Sequence, residues 1–135
     1  MVNLLIVFVG AGLGGMLRYA LGGAVQQWWG PSFPVGTLVV NVSGCLAIGA
    51  LATLFTGPLL VREEVKLFVL IGVLGGYTTF SSFGRETMSL IGDGEWMYAV
   101  LNVVLSNAAG LAAVWMGSAV VTRVYGTAGM GGSVP

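Results

Sequence analysis

Between Gly75 and Glu86 the chain reads GGYTTFSSFGRE, a run of hydroxyl and aromatic residues inside an apolar segment. Gly75 and Gly76 can leave a helical path, and Tyr77, Thr78 and Thr79 favour non-helical geometry more than leucine would. Peptide groups freed at membrane depth cost several kcal/mol each when unpaired. Either their carbonyls gather around a small hard cation such as Na⁺, or the neighbouring threonine and serine hydroxyls cap them. Phe80 and Phe83 stand three apart and share a face of a resumed helix, with Ser81 and Ser82 between them. Two such rings are either plain packing or a pair of positive edges that solvate an anion weakly. Asn41, in GTLVVNVSG, is costly in a membrane unless its amide is satisfied. It serves either as glue between helices or as an N–H donor to a passing anion. Asn102, Ser106 and Gly110 recur every four residues, with Asn107 beside them, and make a partial polar track. Arg18 either concentrates anions at a vestibule or snorkels to headgroups.

The elements that must position these groups are membrane helices. Of the 135 residues 56% are hydrophobic and 7% charged, against roughly 25% charged in soluble domains. Ten charges cannot cover a water-soluble surface. About 20 apolar residues make a spanning helix, and four stretches qualify, near residues 2–21, 35–55, 65–91 and 97–121. The first ends in the polar-aromatic patch QQWWGPSFP, and the third contains GGYTTFSSFGRE. Trp28, Trp29, Phe33, Trp96 and Tyr98 suit interfacial belts. Gly10 and Gly14, Ala11 and Gly15, and Gly72 and Gly76 are spaced for close helix approach in lipid. These features predict one all-α domain over residues 1–124 and a flexible Gly-rich tail over 125–135. No internal repeat is visible, so one chain does not supply its own inverted pair. The first apolar run lacks the basic leader of a cleavable signal peptide.

Lysine and arginine barely choose an orientation. Arg62, Lys66 and Arg123 fall on one side of a four-span topology, and Arg18 and Arg85 on the other. Orientation follows the Lys/Arg excess, and a chain this balanced is suited to insert both ways up.

Other chemistry is poorly supplied. There is no histidine, and Cys45 is the single cysteine, so a disulfide within the chain and the usual zinc spacings are absent. Cys45 reads as a small packed hydrophobe. Zero net charge gives no reason to expect nucleic acid. No nucleophile–base pair stands out, which argues against an enzyme. A proton-coupled antiporter needs a titratable group in the membrane, and the centres of spans one, two and four have none.

GAGLGGMLRY in span one, GTLVVNVSG in span two and GVLGGYTTFSSFGRE in span three resemble the Fluc (CrcB) fluoride channels. The resemblance covers about residues 2–123, and the GG-x-TTFS-x-F string is its most specific part. It implies a multi-pass protein of the inner membrane that passes F⁻, built as an antiparallel, dual-topology homodimer with the third helix broken mid-membrane. It implies a structural Na⁺ at the dimer axis, held by the carbonyls of Gly75 and Thr78 from each copy. Two pores would flank it, lined by Phe80, Phe83, Asn41, Ser81 and Ser106, with Thr79 on the same hydroxyl-rich break and Arg18 at a vestibule. Glu86 matches the acidic residue shortly after the phenylalanines. The fourth span departs from the family pattern: Asn102 and Gly110 stand where a tyrosine and a second hydroxyl are common. Two rival readings are a small multidrug exporter, which needs a carboxylate that residues 2–21 lack, and a membrane assembly subunit, which leaves the polar break without a purpose.

Overall fold

The computed structural model of the protein describes residues 1–129. Helix α1 spans Val2–Trp29 and α2 spans Val35–Thr56. The third span is composite: α3 (Glu63–Lys66), a π-helical stretch (Leu67–Val73), α4 (Leu74–Tyr77) and α5 (Phe80–Gly92). Helix α6 runs over Trp96–Gly129. Four helical segments are long and apolar enough to cross a membrane: Val2–Trp29, Val35–Thr56, Glu63–Gly92 and Trp96–Gly126.

Two boundaries differ from those read in the sequence. Helix α1 continues through Gln26 and Gln27 to Trp29, because nothing in that run breaks a helix before Gly30, which ends it at φ 99°. Gln26 then stitches the turn from within the helix: its Nε2 donates to the Phe33 carbonyl at 2.9 Å and its Oε1 accepts from Gly36 N–H at 3.0 Å. Helix α6 extends to Gly129, into the segment expected as a tail, and residues 130–135 lie outside the described residues.

The interior is narrow. Val40, Leu74, Phe83, Ala99, Ala113 and Val121 are its buried apolar residues, and Leu4, Phe8, Met16, Leu111 and Trp115 point outward. Lipid tails are as apolar as leucine, so outward leucines cost nothing and association rests on close packing of small residues. The sequence spacing of small residues marks one such seam. A Cβ on Gly10 would sit 2.7 Å from the Phe68 carbonyl oxygen, one on Gly14 would collide with the Val73 carbonyl, and one on Gly76 with the Ala11 carbonyl. Backbone thus meets backbone where α1 crosses the third span. A second seam joins α2 to α6, with Gly49 against Val114 and Gly117 against Leu46 and Ala50. The wide π-helical stretch sits within the first seam. The Leu74 N–H reaches back five residues to the Val69 carbonyl, and π turns of this kind are often found at functional positions.

Gly14→Val should separate α1 from the third span and destabilise the protein by roughly 1–3 kcal/mol. The apparent melting temperature in detergent should fall, while Gly12→Ala, at a position with nothing within 4 Å, should leave it unchanged.

Candidate functional site

Thr78 (φ −79°, ψ 154°) and Thr79 (φ −150°, ψ 110°) have extended backbone between α4 and α5. Three different devices satisfy the local backbone. Asn41, on α2, binds both sides of Thr79: its Oδ1 accepts from Thr79 N–H at 2.7 Å and its Nδ2 donates to the Thr79 carbonyl at 3.0 Å. Arg18, on α1, donates from Nε to the Gly76 carbonyl at 3.2 Å. Thr79 itself caps α5, its Oγ1 accepting from Ser82 N–H at 3.2 Å, a standard N-cap role for threonine.

These substitutions have a definite side effect. In a continuous helix the N–H of residue i+4 bonds the carbonyl of residue i. Thr79 N–H would serve Gly75, and Ser82 N–H would serve Thr78. Asn41 Oδ1 and Thr79 Oγ1 take those two donors instead, so the carbonyls of Gly75 and Thr78 lose their helical partners. The Thr78 hydroxyl goes to the Leu74 carbonyl at 3.0 Å, and Thr79 Oγ1 lies 3.2 Å from Ser81 Oγ and donates to Ser82 Oγ at 3.0 Å. Hydroxyl capping therefore occurs at the Ser82 N–H, whereas the Leu74 carbonyl also keeps its bond from the Thr78 N–H at 3.0 Å.

Helix α2 presents a matching face. Gly44 leaves room for the Thr78 methyl and the Tyr77 ring, where a Cβ would collide with Thr78 Cγ2. Tyr77 donates to Ser43 Oγ at 2.7 Å, the Ser43 proton being given to the Val40 carbonyl. Thr37, one turn before Asn41, donates to Glu86 Oε1 at 2.7 Å. Glu86 Oε2 is buried without a hydrogen-bond partner among the described residues. An open cavity of about 380 Å³ is lined in part by Arg18, Thr37, Thr79, Ser82, Arg85 and Glu86. Two guanidinium groups and one carboxylate thus face the same polar recess beside the extended residues.

The phenylalanines share a face as their spacing predicts. Their ring centroids are 5.3 Å apart with an interplanar angle of 44°. They differ in surroundings: Phe83 is 8% exposed and Phe80 is 80% exposed. Gly75 and Ser81 are exposed too, with nothing within 4 Å of a Cβ built on Gly75. Ser106 lies apart on α6, its Oγ 3.4 Å from Asn102 Oδ1. Asn107 points outward and donates to its own helix at the Val103 carbonyl, 2.7 Å. Among the described residues no group of three or more His, Cys, Asp or Glu comes together, so a cation here would depend on carbonyl and hydroxyl oxygens.

Sequence reasoning singled out Arg18, Asn41, Gly75, Thr78, Phe80, Ser81, Phe83 and Ser106; the structure brings Arg18 and Asn41 onto the backbone around Gly75–Thr79 and leaves Ser106 apart on α6. It missed Thr37, Thr87 and the Ser43–Tyr77 pair. Thr37 was accessible, standing one helical turn from Asn41 on the same face.

The family model described as CrcB-like protein, Camphor Resistance (CrcB), matches residues 5–118. Relatives described as "Fluoride-specific ion channel FluC" occur in Roseiflexus sp. (strain RS-1), 45% identical over 87% of this chain and 95% of the relative, and in Desulforapulum autotrophicum, 47% identical over 83% and 89%. A third, from Opitutus terrae, is 50% identical over 84% of this chain and 87% of the relative. With four membrane-length helices and a family match over most of its residues, the chain belongs to the CrcB family.

Proposed function

We propose that this chain is a fluoride-selective channel of the cell membrane that lets F⁻ leave passively. The curated relatives carry that function in their descriptions. The observation that carries the reading at the level of this chain is the exposed polar face of the third span. Gly75, Phe80 and Ser81 are exposed, close in sequence to two carbonyls that have lost their helical donors. A lipid neighbour cannot satisfy such groups; a protein neighbour can. A second copy, inverted about a two-fold axis in the membrane plane, brings the same surface back onto itself. The near balance of lysine and arginine across the two sides supports insertion in both orientations.

In that homodimer the carbonyls of Gly75 and Thr78 from each copy would hold Na⁺. The donor set fits, since hard oxygen ligands suit a small hard cation and the Gly76 carbonyl is already committed to Arg18. When bound, the ion supplies positive charge at the junction of the two interrupted spans. The residues of the chain do the rest. Arg18 and Arg85 draw anions into the recess. Asn41 spends one Nδ2 hydrogen on Thr79, which leaves its second to donate to an anion. Ser81 and Ser106 hydroxyls and the edges of Phe80 and Phe83 replace water around an ion too strongly hydrated to enter a greasy pore unaided. None of these contacts is a full positive charge, which lets the anion leave as well as enter.

A passive pathway is sufficient for export. Hydrogen fluoride crosses membranes as a neutral acid and dissociates inside the cell, and an outward force of about 2.3 kcal/mol per 100 mV acts on the trapped anion.

In liposomes loaded with fluoride or chloride, the purified protein should release F⁻ to an ion-selective electrode and retain Cl⁻; equal release of both, or of neither, removes the reading. Asn41→Asp sets a negative charge against the anion, worth about 4 kcal/mol at ~4 Å, and should cut F⁻ efflux at least about a hundredfold with the dimer intact by size-exclusion chromatography. Phe80→Ile should also cut it sharply, and wild-type efflux in either variant takes that residue out of the pathway. Replacing Na⁺ by a large organic cation throughout purification should lower the dimer's melting temperature; an unchanged melt argues against the ion site.

A further inference from the structure

We infer that Asn102 is a positioning residue that sets the aim of the Phe83 ring, an inference that rests on the channel reading above. Asn102 is 2% exposed, one of only two large side chains fully buried among the described residues. A buried amide inside a membrane helix must be matched by specific partners. Its Nδ2 donates to Thr87 Oγ1 at 3.0 Å, and the Thr87 hydroxyl donates to the Phe83 carbonyl at 2.8 Å. Thr87 has one proton, so the direction of this relay is fixed. Ser106 Oγ donates to Asn102 Oδ1 at 3.4 Å, the longest and weakest link.

The relay ends on the first turn of α5. Thr87 stands four residues after Phe83 and therefore on the same helix face. Holding Thr87 from α6 fixes the roll of α5 about its own axis, and with it the direction of Phe83. The other ties on α5 come from α2: Asn41 to Thr79 and Thr37 to Glu86. Both ties run to α2, one at the N-cap Thr79 and one at Glu86, so α2 alone acts as a hinge line along one side of α5. Asn102 supplies the second side. Without it α5 can roll on that hinge, and the Phe80 and Phe83 rings, 5.3 Å apart on the same helix, change direction together. Asn102 thus acts through Thr87 and not by touching the anion, whereas Ser106, weakly held, is able to turn away from it.

The test uses the full-length dimer with 4-fluorophenylalanine in place of Phe83, read by ¹⁹F NMR, alongside F⁻ efflux from liposomes. The native chain should give one ¹⁹F line. Asn102→Leu and Thr87→Val should each broaden or split it and lower efflux about tenfold, the effect of one buried hydrogen bond. The double variant should be no worse than either single, because both break one relay. Thr53→Val, which breaks the Thr53–Ser118 link between α2 and α6, should change neither readout. An unchanged ¹⁹F line in Thr87→Val overturns the inference, as does lost efflux in Asn102→Leu with normal efflux in Thr87→Val. If Asn102→Leu does not assemble, Thr87→Val decides alone. If the native chain moves no F⁻, the channel reading fails, and the ¹⁹F lines still show whether Asn102 holds the ring.

Discussion

One amide carries the interruption of the third span. Asn41 meets both polar groups of Thr79, at 2.7 and 3.0 Å, and so does for an extended residue what a helix does for its own interior. A peptide group without a partner at membrane depth costs several kcal/mol. The extended backbone at Thr78 and Thr79 is tenable because α2 offers an asparagine at that height. Arg18 adds a donor to the Gly76 carbonyl from α1. Arg18 and Asn41 are thus first of all backbone partners of span three, and any role toward an ion is built on that.

The same constraint explains the glycines. A side chain as short as asparagine reaches a neighbouring backbone only if the helices lie very close. Gly10, Gly14, Gly72 and Gly76 allow that on one seam, and Gly44 opens a pocket for Thr78 and Tyr77 on the other. Close packing also leaves the large apolar residues on the outside, where lipid accepts them. The few charges follow from this arrangement. Those at the recess, Arg18, Arg85 and Glu86, are either turned to its polar wall or bonded to a neighbouring helix.

Much of this was legible in the sequence because it depends on period and composition. Four apolar runs gave four helices. Small residues at four-residue spacing gave the α1 seam. The two extended residues, Thr78 and Thr79, fall inside GGYTTFSSF, where glycine, threonine and serine all weaken a helix. The hydrogen-bond pairing was not legible. Asn41 could equally have faced an ion or a neighbour, and only the fold puts Thr79 opposite it. The α2–α6 seam was missed because Gly49 and Gly117 have no glycine at four-residue spacing, although Ala109, Ala113 and Gly117 do form a small-residue series. The end of α1 was misplaced because glutamine and tryptophan look like a loop by polarity, although neither stops a helix. Asn102 looked like part of a polar track, and its burial against Thr87 could not be read from its own segment.

The π-helical stretch just before α4 has a bearing on how such a protein can vary. Five-residue hydrogen-bond steps pack more chain into a given height than four-residue steps do. Between Glu63 and Gly75 the segment therefore holds slack in length and in angular phase. Deleting a single residue from an ordinary helix turns every later side chain by about 100° around the axis, whereas deleting one from this stretch and letting ordinary winding return leaves the later side chains close to their original phase. Phase, then, and not apolarity, is what limits insertions and deletions upstream of Gly75: a stretch that looks like featureless valine and leucine is a register device.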